Sequence, residues 1–370
     1  MNYEIKCSKC GKTSTSLLSF KCSSCGQPLK IRLYLDFDIE KIQKKEYSVW
    51  RYADFFPYIL KEEIVTLGEG WTPLVKLSDN LMFKMESLNP TGSFKDRGST
   101  ALISAIHKQV RKAEGYISED SSGNAGASIA AYAAYAGLKA KIYVPKKVSG
   151  AKFYQIQHYG AEVVRVSGSR SQVAQEAKKE GKKKFYIGHI LQPLFRDGIR
   201  SLAYEIGEQL SWQMPQRVYL PVSAGTLLLG TISGFKHLVE SNIIDTSPEI
   251  IACQTRQVSP LYHHFKNLSY KPPKTITSIA DALVSVNPPL LDLMVKNLKE
   301  ISGDVAMVEE EEIYNAFETL ARKGFFVEPS SAVAYAAYQK QLNNKEISKN
   351  ERTVIVLTGM GLKTSSIKPL

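Results

Sequence analysis

Short runs of apolar and β-branched residues recur along most of this chain, at 140–144, 161–166, 184–187, 218–222, 249–253 and 353–357. Each run has strand length, and most of them read as continuously apolar. Between them lie longer stretches that read as helices, at 125–136, 151–159, 171–180, 198–210, 226–240, 311–323 and 331–342. Strands of this kind alternating with helices predict a mostly parallel sheet covered on both faces, an α/β fold. A further helix is expected over the alanine-containing run at 100–106. Residues 30–56 are rich in Lys, Glu and aromatic residues, residues 67–74 form a turn-rich passage, and the proline-bearing 271–277 reads as a surface connection. No internal repeat and no long low-complexity linker interrupts the pattern.

The length of 370 residues suits two domains or subdomains plus an appendage. With 44% hydrophobic and 23% charged residues, the composition is that of a soluble globular protein. The most apolar stretch, 125–138, is alanine-rich, broken by Ser128, Tyr132 and Tyr135, and too short to span a bilayer, so no membrane partner is expected. The first residues lack a basic start followed by an apolar region, which predicts a cytoplasmic location. The formal charge of +12 is spread along the chain. Its one dense cluster, Lys178, Lys179 and Lys182 to Lys184 beside Glu180, reads as a solvated helix end. Without aromatic and basic residues interleaved, nucleic acid is not the expected partner; the excess suits an anionic substrate equally well.

Four of the five cysteines fall in the first 25 residues, as Cys7-x-x-Cys10 and Cys22-x-x-Cys25. Each pair is followed by a glycine, Gly11 or Gly26, which allows the tight turn that aims two thiolates at one ion. Two such knuckles make a closed tetrahedral zinc site with no vacancy for substrate, and hence a structural metal. Disulfides are the alternative, but a cytosolic chain would keep them reduced. Cys253, ending the apolar run 250–252, reads as a buried strand residue.

The chemistry is expected where strands end and helices begin. Lys95 lies in Asn89-Pro90-Thr91-Gly92-Ser93-Phe94-Lys95-Asp96-Arg97-Gly98, after a turn and ahead of a helix. A helix entrance disfavours the ammonium form, and further desolvation would free the amine as a nucleophile toward a carbonyl. The loop Ser121-Ser122-Gly123-Asn124 offers hydroxyls and amides to a carboxylate, and Asn124 a donor to a phenolate-type oxygen. Pro221-Val222-Ser223-Ala224-Gly225-Thr226 is a small-residue turn suited to a phosphate. Thr358, in Thr358-Gly359-Met360-Gly361-Leu362-Lys363 after the last apolar run, can hydrogen-bond a ring nitrogen. No Gly-x-Gly-x-x-Gly with a downstream acid is present, which argues against a nicotinamide cofactor. Together the four loops suggest pyridoxal phosphate chemistry.

On these motifs, together with Gly68-Glu69-Gly70-Trp71-Thr72-Pro73-Leu74, Phe195-Arg196-Asp197-Gly198, Glu205-Ile206 and Glu328-Pro329-Ser330-Ser331-Ala332, the chain resembles the threonine synthases, within the fold type II pyridoxal phosphate enzymes. The likeness covers roughly residues 65–365, and many archaeal-type members carry a cysteine ribbon in front. It implies two open, mostly parallel α/β domains with the cofactor between them and a small N-terminal zinc ribbon. The corresponding division is ribbon 1–30, first part of the large domain 31–85, small domain 86–165 and remainder of the large domain 166–370.

The resemblance also implies roles. Lys95 would carry the cofactor and shuttle protons, with Phe94 beside the ring. Asn124 would bond the ring hydroxyl oxygen, and Ser121 and Ser122 the substrate carboxylate. Val222, Ser223, Ala224, Gly225 and Thr226 would hold the cofactor phosphate, and Thr358 would face the ring nitrogen. Arg196, Arg200, Arg97 and Lys363 are candidates for the substrate phosphate by position. The implied reaction converts O-phospho-L-homoserine and water to L-threonine and phosphate, and the family suggests a homodimer. Residues 223–226, poorer in glycine and asparagine than is common in the family, and Met360 and Thr364 depart from family habit where the substrate is read. Related β-replacing or eliminating enzymes, cysteate synthase-like or threonine/serine dehydratase-like, therefore remain the alternative.

Overall fold

The computed structural model describes residues 2–179, 181 and 183–364; Glu180 and Lys182 of the basic cluster, and the end of the helix expected at 171–180, lie outside the described residues. The chain forms two compact units, Met1–Trp71 with Asn89–Ser201, and Thr72–Leu88 with Leu202–Leu370. These boundaries differ from those expected at 85 and 165. Helices Lys95–Lys112 and Pro193–Ile199 pack on each other and draw the chain up to Ser201 into the first unit.

The first unit holds a four-stranded sheet in the order Glu162–Val166, Lys139–Pro145, Tyr116–Glu119, Lys184–Tyr186, all parallel. Helices Asn124–Tyr135, Ala151–His158 and Arg170–Lys178 connect its strands. The first of these can approach closely because its faces are built from alanine, with Ala127, Ala130 and Ala133 buried. The N-terminal ribbon is a separate three-stranded antiparallel sheet, Thr13–Ser14, Tyr3–Cys7 and Leu29–Leu33, over a small core of Ile5, Cys7, Cys22 and Leu29.

The second unit holds six strands in the order Asp304–Val308, Glu249–Thr255, Arg217–Pro221, Thr353–Val356, Leu81–Lys84, Leu74–Lys76. All neighbours are parallel except the last pair, which is antiparallel. Past the opening residues Arg217 and Glu249 the central strands are buried, as their apolar runs predict. Phe83, Tyr219, Ile251 and Ile355 pack with Ala332, Val333, Ala336 and Ala337 of helix Pro329–Asn343 to make this core. Each large side chain buried there contributes on the order of 1.5–3 kcal/mol.

The predicted elements stand with small changes of boundary, with one break. The stretch read as a single helix at 198–210 belongs to two, Pro193–Ile199 and Ser201–Gln209. Pro193 opens the first under a Gln192 cap, and Ser201 Oγ takes up Gly198 O at 2.8 Å. Strands Leu81–Lys84 and Asp304–Val308 and helix Leu291–Glu300 are additional to the expected set. Residues 271–277 form an irregular, largely exposed connection, as expected. Among the described residues no helix is long and apolar enough to cross a membrane.

Candidate active site

The lysine motif is a tight turn docked onto its own helix. Gly92, at φ 81°, lets its N–H reach Asn89 O at 2.7 Å. The Asp96 carboxylate accepts from Thr91 N at 2.7 Å and Thr91 Oγ1 at 2.6 Å, and from Ser128 Oγ at 2.5 Å. One acid thus ties the turn, the first helical turn and the neighbouring helix Asn124–Tyr135 together. Glycines then bring two backbones into contact. A Cβ on Gly98 would lie 2.5 Å from the Phe195 ring, and one on Gly198 would lie 2.1 Å from Arg97 O. Helices Lys95–Lys112 and Pro193–Ile199 therefore cross at a distance no other residue permits.

That crossing shapes the surroundings of Lys95. Its Nζ lies 4.5 Å from the Phe94 ring centroid and 5.8 Å from that of Phe195. Burial among such groups lowers the amine to about 8, while the Glu119 carboxylate opposes the shift. Glu119 is fully buried at the end of strand Tyr116–Glu119 and accepts from His189 N at 3.0 Å, with His189 Nδ1 at 2.8 Å. Burial pushes this carboxyl up, but the His189 contacts and Arg170 outweigh it and hold it below its usual range. The His189 ring in turn packs edge-on to Phe195 at 5.4 Å. Neither Glu119 nor His189 stands out in the sequence; the only signal is an acid at a strand end directly before the Ser121 loop.

The loop 121–124 folds back on its helix. Asn124 opens helix Asn124–Tyr135, and a Cβ on Gly126 would sit 1.9 Å from Ser121 O. Ser121, Ser122 and Asn124 are half-buried, with Ser121 Oγ accepting from Gly123 N at 3.3 Å. The structure thus brings Lys95, Phe94, Ser121, Ser122 and Asn124 into one unit, at or just before the starts of two adjoining helices.

In the second unit, Val222 N donates to Cys253 O at 2.8 Å and holds the loop against the neighbouring strand. Gly225 caps the 15-residue helix Thr226–Glu240 in the left-handed region at φ 96°, and a Cβ there would meet Met294 Sδ at 2.4 Å. Ser223, Ala224, Gly225 and Thr226 therefore lead into a helix N-terminus, whose free amides favour a phosphate. Thr358 follows strand Thr353–Val356. Its Oγ1 lies 2.9 Å from Ser331 Oγ, which also accepts from Gly359 N at 2.9 Å. Ser331, the fourth residue of the Glu328-Pro329-Ser330-Ser331 motif, is a partner of Thr358 that the linear pattern leaves hidden. Lys363 is buried at 6% exposure.

The three arginines expected near substrate phosphate are engaged inside the first unit. Arg196, 5% exposed, donates Nη1 to Ile190 O at 2.9 Å and Nη2 to Leu29 O in the ribbon. Arg200 donates Nη2 to Phe55 O at 2.7 Å and to Asp197 Oδ2 at 2.9 Å. Arg97 is fully buried and donates Nη1 to Ser201 Oγ at 3.0 Å.

In the ribbon, the sulfurs of Cys7, Cys10, Cys22 and Cys25 all lie within 4.8 Å of one another, with closest pairs at 3.4 and 3.6 Å. A tetrahedral thiolate site with metal–sulfur bonds of about 2.3 Å has sulfurs about 3.8 Å apart, so the cluster has the dimensions of a metal site. Amides of Lys9 and Cys10 point at Cys7 Sγ and that of Ser24 at Cys22 Sγ, each at 3.4 Å, donors that favour thiolates. Gly11 and Gly26 make the knuckle turns at φ 74° and 68°.

A family model described as pyridoxal-phosphate dependent enzyme matches residues 65–359. The chain belongs to that family. Its curated relatives include the threonine synthase of Methanocaldococcus jannaschii, 35% identical over 97% of this chain and 92% of that one. The threonine synthase of Methanosarcina acetivorans is 30% identical over 98% and 92%. Among solved structures, the processed form of threonine deaminase isoform 2 from Solanum lycopersicum superposes with a TM-score of 0.68 at 20% identity, over 88% of this chain and 86% of that one. Maize serine racemase gives 0.67 at 21% identity, over 88% and 94%. The structural likenesses establish the fold type II α/β architecture. Within this family the desolvated Lys95 amine suits a pyridoxal aldehyde, and the glycine-capped helix N-terminus suits the phosphate.

Proposed function

We propose that this chain converts O-phospho-L-homoserine and water to L-threonine and phosphate. The observation that carries the reading is the half-buried Lys95, its amine lowered by desolvation beside the Phe94 and Phe195 rings, in a chain whose near full-length curated relatives are threonine synthases. Bound pyridoxal phosphate would supply an electron sink that makes the α- and β-hydrogens of the amino acid acidic. The rest falls to the chain. Lys95 would hold the cofactor aldehyde, and its amine would take and return protons at the α- and β-carbons. Phe94 and Phe195 keep water from the amine. Asn124 donates to the ring hydroxyl oxygen, and Ser121 and Ser122 with adjacent amides hold the substrate carboxylate.

The loop 222–226 holds the cofactor phosphate on its helix N-terminus. Thr358, oriented by Ser331, donates to the ring nitrogen. Loss of phosphate from the γ-carbon, transfer of a proton to that carbon to make the methyl group, and addition of water at the β-carbon with a proton returned to the α-carbon complete the balance. For the substrate phosphate, Lys363 and the loop amides remain the candidates, since Arg196 and Arg200 are bonded to carbonyls elsewhere. We assign zinc to the four cysteines as a structural ion, a cytoplasmic location, and a homodimer as the family's habit. The test is phosphate release by purified protein. O-phosphohomoserine should be turned over and O-phosphoserine should not, with Lys95→Ala inactive. Turnover of phosphoserine with sulfite, or deamination of threonine or serine alone, would replace this reading with a related enzyme of the same fold.

A further inference from the structure

The cysteine ribbon is joined to the segment that faces Lys95. Strand Leu29–Leu33 packs on helix Pro193–Ile199, and Arg196 of that helix donates to Leu29 O. Fully buried Gln192 reaches Leu17 O at 3.3 Å, and the Phe20 ring meets that of Tyr186 edge-on at 5.7 Å. Leu29 is in turn held by the knuckles. It pairs with Cys7, and the turn leading to it is closed by Cys22 N to Gln27 O at 2.8 Å and Ser8 N to Pro28 O at 3.0 Å. The residue beside Arg196 is Phe195, whose buried ring lies under Lys95 Nζ and against Gly98.

We propose that Arg196 is a latch through which metal loading of the ribbon positions Phe195 and the Lys95 helix, so that the metal-free protein holds its cofactor less tightly. The proposal rests on the reading of Lys95 as the cofactor lysine and of the four cysteines as a metal site. Its physical basis is the cost of stranding a charged donor. A buried guanidinium that loses a carbonyl leaves an N–H unpaired, a cost that favours movement of its helix toward another acceptor. The crossing at Gly98 and Gly198 leaves no slack, so a shift of Pro193–Ile199 is passed to Lys95 rather than absorbed. Arg196 is therefore a positioning residue and touches neither substrate nor cofactor.

The experiment uses full-length protein loaded with zinc, stripped with a chelator, and reloaded. Zinc content, pyridoxal phosphate affinity and the absorbance maximum of the bound cofactor are measured in each state. Stripping should weaken cofactor affinity about tenfold, equal to about 1.4 kcal/mol, and reloading should restore it. Arg196→Met should show the same loss and an altered absorbance maximum with its zinc content unchanged, and stripping that variant should add nothing. Arg196→Lys, which keeps a donor, should fall in between. Unchanged affinity in the stripped wild type overturns the proposal, and so does wild-type affinity in zinc-loaded Arg196→Met. If stripping unfolds the chain, the Arg196→Met comparison decides alone, because its four cysteines are intact. Zinc-loaded wild type that binds no cofactor would instead sink the reading of Lys95, and a chain that takes up no zinc would sink the metal site.

Discussion

Burial lowers the Lys95 amine to about 8, well under the ordinary lysine value of about 10.4. Below that pH the ammonium at Lys95 has no lone pair to attack with; above it the amine is free. Capture of pyridoxal phosphate by cofactor-free protein should therefore accelerate as pH rises, with a midpoint of about 8 set by burial of the amine. An ordinary lysine would place it near 10.4. Stopped-flow absorbance across pH 6.5–10.5, a range chosen to bracket both values, checks this; a midpoint near the ordinary value would remove the desolvation argument. Glu119 opposes the shift by favouring the charged form. Glu119→Gln should accordingly move the midpoint lower, and a rise would mean that its carboxylate does not act on Lys95.

Between elements, a close fit inside each unit holds that unit together. At the crossing of Lys95–Lys112 with Pro193–Ile199, a methyl group on Gly198 would collide with main chain rather than with a flexible side chain. Gly198→Ala should cost about 1–3 kcal/mol in urea denaturation, and a neutral result would mean that the helices separate easily. In the second unit, Lys84 and Glu205 are both fully buried at 2.7 Å, with Thr72 O and Gln209 Oε1 completing the amine's bonds. Removing one partner, as in Glu205→Leu, should destabilise by about 3–5 kcal/mol, and Lys84→Met added to it should recover much of the loss. Failure of the second change to recover stability would show that packing, not stranded charge, sets the cost.

The same pair explains what a linear reading misses. The strands Lys139–Pro145 and Arg217–Pro221 are legible because their apolar runs are unbroken between turns. Leu81–Lys84 ends in a charge that looks solvent-facing until Glu205, far along the chain, neutralises it. Likewise Lys95, Asn124, the 222–226 turn and the cysteine knuckles announce themselves as local motifs. Glu119, His189 and Ser331 do not, because each acquires its meaning only from a partner brought in by tertiary structure. Arg196 shows the converse: a basic residue in a family-like stretch whose guanidinium the fold spends on a ribbon carbonyl.

At the scale of the whole molecule, the two units are not two consecutive pieces of chain. Residues 72–88 leave the first unit's sequence to supply strands Leu74–Lys76 and Leu81–Lys84 to the second unit's sheet. The inner neighbour of Leu81–Lys84 is Thr353–Val356, near the far end of the sequence. A chain ended before residue 353 should keep a protease-resistant core from the first unit but be cut within 72–88, as limited proteolysis with mass spectrometry would show. Protection of that segment in the shortened chain would mean that it finds another partner.

This arrangement has a consequence for the ribosome. Emerging from the exit tunnel, the strand Leu81–Lys84 carries an apolar Leu-Met-Phe stretch whose mate, Thr353–Val356, is translated long after it. Until that mate emerges it waits with a sticky edge, while the chain grows at the roughly 5–20 residues per second typical of elongation. Slowed translation, or shortage of chaperones that shield nascent chains, should therefore lower the soluble yield of this protein before any effect on its chemistry is felt.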